Sequence, residues 1–301
     1  MLQFKTVLNP KQLVARHSLL QSSLRPDSNY DIELEYPQVF SLQDSSITGL
    51  KDQIPIVHAN ILYREFAALD GQTWKAALIG NVATEETFRG QGLQKQLFRH
   101  LESIARNESA DVLVLWSDLE SFYEKLGFCQ FGGEVRYQLA AHKSPPNSIL
   151  NVNQIDVRTL SEIDLEQLMA IRPPEVLTLK RTPSQFKELL TIPDMGLFLG
   201  RDPEQKIQAW AITGKGCDMQ GVFHEWGATS PQALSSLFSS TFKSLGVEEF
   251  MVLAPSALDR VWHEALRAFS ISKSDHYMAL VKQLSHRQLP AGAFIWGLDS
   301  I

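Results

Sequence analysis

Arg89, Gly90 and Gly92, in the stretch Phe88-Arg89-Gly90-Gln91-Gly92-Leu93-Gln94, are the residues of this 301-residue chain whose types and spacing suit chemistry most directly. An apolar, β-like run precedes them and an amphipathic helical pattern follows. Glycine lets the backbone approach a ligand closely. A helix opening at about Gly92 offers unpaired N–H groups and the positive end of its dipole. Arg89 adds a cation at the rim. Strand, glycine turn and helix start in that order make a cradle for a diphosphate. The loop is not a Walker A, because no Gly-Lys-Ser/Thr follows. It is not a dinucleotide fingerprint either, having only Gly-x-Gly and no acidic residue at the expected distance. A plain surface turn is the alternative.

The elements that must position this loop are legible around it. "IVHANILYREFAAL" and "WKAALIGNVAT" read as strands joined at Asp70-Gly71, a strong hairpin signal. Past the glycines, Leu93, Leu97, Leu101, Ile104 and Ala105 recur at helical spacing. "DVLVLW" then reads as a buried strand, "LESFYEKLGF" as a short helix and "GGEVRYQL" as a closing strand of the first domain. Near the start, Asn9 is placed to cap a helix opening at Pro10.

The stretch His142–Gln154, with Pro145-Pro146 among Ser and Asn, reads as a linker. Beyond it the order strand, strand, helix, strand recurs, with Ser230 and Pro231 starting the helix. "GATSPQAL" is too short, and too poor in glycine, to form a second cradle. His224-Glu225 and Gly214-Lys215-Gly216 read as structural. The expected organisation is therefore α/β with mixed sheets: 1–141 a first domain, 142–154 a linker, 155–285 a second domain and 286–301 an apolar tail. In that tail Phe294, Ile295 and Trp296 are expected to dock in a groove between domains.

A net charge of -6 with no basic cluster argues against nucleic acid as the main partner. Cys129 and Cys217 stand far apart with no CxxC or His pairing, so neither a metal site nor a disulfide framework is expected. No apolar run is long enough for a membrane span or a signal peptide, which points to a cytoplasmic protein. Oligomeric state is not readable.

"VATEETFRGQGLQKQL" followed by "DVLVLWSDLESFYEKLGF" resembles the GCN5-related N-acetyltransferase (GNAT) family, whose Arg/Gln-x-x-Gly-x-Gly/Ala signature is met by Arg89, Gly92 and, in place of the usual Gly or Ala, Gln94. The resemblance implies two tandem acyl-CoA N-acyltransferase-like domains, the second degenerate. It implies acetyl-CoA as co-substrate and a small-molecule or peptide amine as acceptor. Val82, Ala83 and Thr84 would line the pantetheine arm and thioester. Arg89, Gly90, Gln91, Gly92, Leu93 and Gln94 would hold the pyrophosphate. Tyr123 would act as the acid toward the leaving thiolate, since a phenol of pKa ~10 can protonate it. Ser117 would contact the ligand or cap the next helix. For the general base Glu65 is the first candidate, with Glu85, Glu86, His58 and Asp118 also open. By the same resemblance the Ile301 carboxylate would lie in the acceptor site. An acyl-CoA-binding protein without turnover is the competing reading.

Overall fold

The computed structural model describes residues 2–68, 70–143, 149–171 and 177–301. The chain runs β1 (Gln3–Lys5), α1 (Pro10–Leu24), α2 (Ile32–Glu35), α3 (Pro37–Phe40), β2 (Ser46–Lys51), β3 (Ile54–Ala67), β4 (Thr73–Thr84), α4 (Leu93–Asn107), β5 (Val112–Leu115), α5 (Glu120–Glu124) and β6 (Cys129–Phe131). It continues through β7 (Glu134–Ala140), β8 (Asn151–Ile155), α6 (Glu162–Ala170), β9 (Leu177–Leu179), α7 (Pro183–Leu189), β10 (Gly196–Arg201), β11 (Ile207–Lys215) and β12 (Asp218–Ala228). The last elements are α8 (Pro231–Leu245), β13 (Glu249–Pro255), α9 (Arg260–Arg267), β14 (Ser270–His276), β15 (Ala279–Gln283) and β16 (Ala293–Phe294). Part of the expected linker, 144–148, lies outside the described residues.

Two units result. The first comprises Met1–Phe131, Ala279–Pro290 and Asp299–Ile301; the second comprises Gly132–Met278 and Ala291–Leu298. This division corrects the expected boundaries. The "GGEVRYQL" strand does not close the first sheet: β7 pairs antiparallel with β13 and β14, all in the second unit. Conversely, β15 pairs with both β5 and β6 in the first. The first sheet thus takes a strand from the far part of the chain, whereas the strands of the second all come from one continuous stretch.

The first unit's sheet has the order β1-β2-β3-β4-β5-β15-β6. It is mixed, with β4 and β5 parallel and the β3–β4 hairpin antiparallel. The apolar stripe of α4 buries Leu97, Leu101 and Ala105 of the expected set, together with Phe98, while Leu93 and Ile104 are half-buried. Asn9 caps α1, accepting from the Gln12 N–H in a capping box, with Pro10 at its start.

The second unit's sheet runs β14-β7-β13-β12-β11-β10-β8 and is likewise mixed, β12 and β13 being parallel. Its core includes Leu165, Leu168, Phe186, Leu197, Trp210 and Leu298. Phe294, Ile295 and Trp296 are buried, and Ala293 and Phe294 pair with β9. Trp296 packs edge-on against Trp226 at 5.7 Å. Among the described residues no helix is long and apolar enough to cross a membrane.

Candidate active site

The site begins with what the sheet leaves unpaired. β4 pairs with β5 only from Ala76↔Val112 to Ile79↔Leu115, then runs on to Thr84 alone on that side. Its other side carries a bulge: His58 faces Ala83 and Asn60 faces Gly80, so Ala59 opposes both Asn81 and Val82. Asn81 takes the left-handed conformation there (φ 49°). A bulge of this kind bends a strand and re-aims its groups. Beyond Ile79 no neighbouring strand among the described residues pairs with this side of β4, and its last residues, Val82 to Thr84, line a cavity.

Gly90 (φ 77°) and Gly92 (φ 73°) make the turn that follows, in a region where a Cβ is strained. A Cβ on either would meet nothing within 4 Å, so the space above the loop is open. Gly92 is the N-cap of α4, and no side chain satisfies the amides of the first turn. Free amides at a helix start, with the positive end of the helix dipole, are of the kind that suits an anion. Arg89 Nε donates to the Thr84 carbonyl at 3.3 Å and ties the loop to the strand end.

Together these elements wall a cavity of about 650 Å³. Val82, Ala83, Thr84, Arg89, Gly90, Gly92, Leu93 and Gln94 all line it, joined by Ser23 and Leu24 of α1 and by Leu119, Phe122 and Leu126. The ionisable side chains on the wall, Arg89, Lys95 and Lys125, are all cationic. The Thr84 hydroxyl is buried and has no hydrogen-bond partner. An unpaired polar atom and an uncapped helix start on one wall fit a ligand carrying both amide and phosphate groups.

Other expected residues lie elsewhere. Gln91 is exposed, donates to the Thr87 carbonyl and does not line the cavity. Ser117 is also off the wall, its Oγ accepting from the Leu119 N–H at 3.1 Å. Tyr123 is 5% exposed, its ring packed edge-on against Phe98, Phe122 and Phe128. Burial pushes its pKa up to about 12, offset in part by a hydrogen bond with Ser117.

The general-base expectation needs correction. Glu65 pairs with Lys75, at the Asp70-Gly71 end of the hairpin, whereas Thr84 pairs with Val57 at the other. Nine positions separate Lys75 from Thr84, roughly 30 Å of strand at about 3.3 Å per residue. Glu65 is exposed and lines a different cavity with Lys75, Arg106 and Arg287. None of Glu85, Glu86, His58 or Asp118 lines the 650 Å³ cavity. His58 is fully buried: Thr48 Oγ1 donates to its Nδ1 (2.9 Å), and its Nε2–H is directed at Asn60 Oδ1 (3.4 Å). Burial, reinforced by the Arg16 charge, lowers its pKa to about 3. Such a histidine is a neutral structural group.

Sequence reasoning missed the bulge, and it placed Ile301 in the acceptor site by resemblance without foreseeing its contact with β4. Gly80 lies directly against the Ile301 main chain. Asn60, whose amide donates to Ser46 Oγ (3.0 Å), accepts from Asn81 (3.0 Å) and so links the bulge to β2. The polar run His58, Asn60, Asn81 inside otherwise apolar strands was the available signal.

In the second unit α8 occupies the place equivalent to α4, but there Ser230 accepts from the Ala233 N–H and fills the helix start. His224 Nε2 donates to the Gly214 carbonyl (2.9 Å), and Glu225 accepts both arms of Arg181 (2.7 and 2.9 Å). Both are structural, as the sequence suggests.

Residues 29–131 match the family profile of an acetyltransferase (GNAT) domain. Among curated proteins, none matches by sequence. Solved structures match along nearly the whole chain. A GCN5-related N-acetyltransferase from Anabaena variabilis is 14% identical with a TM-score of 0.72, over 95% of this chain and 73% of that one. A probable N-acyltransferase from Enterococcus faecalis is 13% identical with a TM-score of 0.74, over 94% and 73%. The Saccharomyces cerevisiae N-myristoyltransferase, solved with bound myristoyl-CoA, is 9% identical with a TM-score of 0.57, over 93% and 77%. Residues 29–131 thus match an acetyltransferase (GNAT) domain, and along nearly its whole length the chain shares its fold with solved GCN5-related N-acetyltransferases.

Proposed function

We propose that the first unit binds acetyl-CoA and transfers its acetyl group to a primary amine of a small molecule or peptide. The observation that carries this reading is the single 650 Å³ cavity shared by the unpaired end of β4 and the uncapped start of α4. Main-chain groups of Val82, Ala83 and Thr84 suit the amide-bearing pantetheine arm. The amides from Gly90 to Gln94, with Arg89, suit the pyrophosphate.

The reaction is direct attack. The amine nitrogen bonds to the thioester carbonyl carbon, the carbon–sulfur bond breaks, and the sulfur leaves as a thiolate. At neutral pH Tyr123 is a hydrogen-bond donor, since its pKa is raised to about 12. Complete proton transfer from it to a thiolate, whose thiol ionises near ~8.5, is uphill. Tyr123 therefore stabilises the developing charge on sulfur, and the proton lost by the amine ends on the thiol. This role requires the hydroxyl to face the thioester past Leu119 and Phe122, which line the cavity.

A second reading, acyl-CoA binding without turnover, draws support from a cavity wall that carries no carboxylate or imidazole. Thiol release from acetyl-CoA, measured over a panel of amines, separates the two. Tyr123→Phe should slow release strongly and leave acetyl-CoA affinity unchanged. Absence of release with every amine, despite tight binding, would favour the binding protein.

A further inference from the structure

At the ends of the two sheet orders given above, β1 and β6 have 3 residues each and β8 has 5, whereas β14 has 7. A short edge gives another chain little to pair with; a long one is a template. Among the described residues only β7 pairs with β14, and each of residues 271–276 is exposed. The register shifts between Ser270 and Ser272, which leaves 272–276 as a regular run with one edge free. Its only Lys, Arg, Asp or Glu side chains are Lys273 and Asp275, which pair with each other at 3.0 Å within the strand. Both lie on the sheet face of their buried cross-strand neighbours Tyr137 and Val135. Ser274 and His276 share the opposite face, joined by a 2.9 Å hydrogen bond.

Two identical edges that pair antiparallel are related by a two-fold axis normal to the sheet. Residues opposite each other share a face, so the axis passes through a residue and not between two. With the axis at Ser274, Lys273 of each copy faces Asp275 of the other, Ser272 faces His276, and the two Ser274 hydroxyls meet. Every opposed pair is then matched in charge or hydrogen bonding. An axis at Lys273 would set lysine against lysine, and one at Asp275 carboxylate against carboxylate. The charges of β14 thus complement a second β14 in one central register. We infer that β14 is an interface between two copies of this chain, their edges joined antiparallel about Ser274 into one continuous sheet. The inference is independent of the acyl-CoA reading. It gives the second unit, where Ser230 fills the start of α8, a part in assembly.

Sedimentation velocity on the full chain, from micromolar to millimolar protein, should show a monomer–dimer equilibrium, as small transient interfaces do. Lys273→Glu opposes like charges at two symmetric places and should raise the dissociation constant roughly tenfold or more. Asp275→Lys should act alike. The two changes together restore opposite charges and should return the constant close to the wild-type value. Ser274→Cys sets two thiols face to face at the axis, and mild oxidation should cross-link it well above the background from the exposed Cys129 and Cys217. Ser272→Cys, opposite His276, should stay at background. A wild-type chain that remains monomeric throughout, including one that takes an extended peptide on β14 instead, overturns the inference. So does a dimer that neither single reversal weakens, or one in which Ser272→Cys and Ser274→Cys cross-link equally.

Discussion

Gly80 and Ile301 occupy one another's space so closely that a Cβ on the glycine would collide with the main-chain carbonyl of the isoleucine. Gly80 is also the β4 residue after the last that pairs with β5. The absence of a side chain there is a steric requirement, since Gly80 has ordinary backbone angles. Gly80→Ala should cost about 1–3 kcal/mol, as overpacking does. Removing Ile301 in the same variant should recover much of that loss. Denaturant midpoints of the two proteins check the pair, and equal midpoints would show that Ile301 is not what the new methyl meets.

Gly92 and Gly71 have similar positive φ values, 73° and 86°, but only Gly92 lies on the 650 Å³ cavity. Valine at either position should destabilise by roughly 1–2 kcal/mol through backbone strain. Only Gly92→Val should also abolish acetyl-CoA binding, because it deforms the turn that presents the α4 amides. Calorimetric titration of both variants makes the comparison, with Gly71→Val as the control for strain alone.

His58 ties stability to acid. Its pKa is lowered to about 3 in the folded protein, from an ordinary value of 6.5, chiefly by burial. The unfolded state therefore binds the proton more readily. The contribution is complete above about pH 6.5 and is lost as pH falls toward 3, at up to roughly 1.4 kcal/mol per pH unit. His224, lowered to about 4 by burial, acts with the same sign in the second unit. His58→Gln should be less stable at neutral pH and show a shallower decline between pH 6 and 4. Chemical denaturation at several pH values measures that slope; an unchanged slope would mean that His58 is not the group responsible.

Arg181 and Glu225 form a doubly hydrogen-bonded pair with both side chains wholly buried. Removing one charge strands the other in a medium that solvates it poorly. Glu225→Gln should cost about 3–5 kcal/mol. Replacing both residues by apolar ones of similar volume should cost much less. Thermal unfolding of the single and double variants decides this.

How far the sequence could be read follows from the range of the interactions involved. The turn glycines, the helix starting after Gly92, the hairpin at Asp70-Gly71 and the caps at Asn9 and Ser230 are set by neighbours a few residues away, and the structure has them where the pattern puts them. The placement of Glu65 required one further step. Counting back from the Asp70-Gly71 turn puts it at the hairpin's closed end, far from Thr84, because register fixes distance along a strand. Tyr123 is easy to locate on α5, but its side chain's place among Phe98, Phe122 and Phe128 depends on tertiary packing. The positions of β7 and β15 were least accessible. Each is an unexceptional β-like run, and nothing local to it names a partner so remote in the chain.

The insertion of β15 beside β5 bears on how the protein is made. During synthesis the edge at Val112–Leu115 emerges well before Ala279–Gln283, with all of β6 to β14 made between them. Until then the nascent chain exposes a buried-type strand with nothing to hydrogen-bond on that side, a template for misassembly with other chains. Completion of the first sheet is thus deferred until the strands from β7 to β14 have been made, and a chaperone that shields this edge would have its greatest effect in that interval.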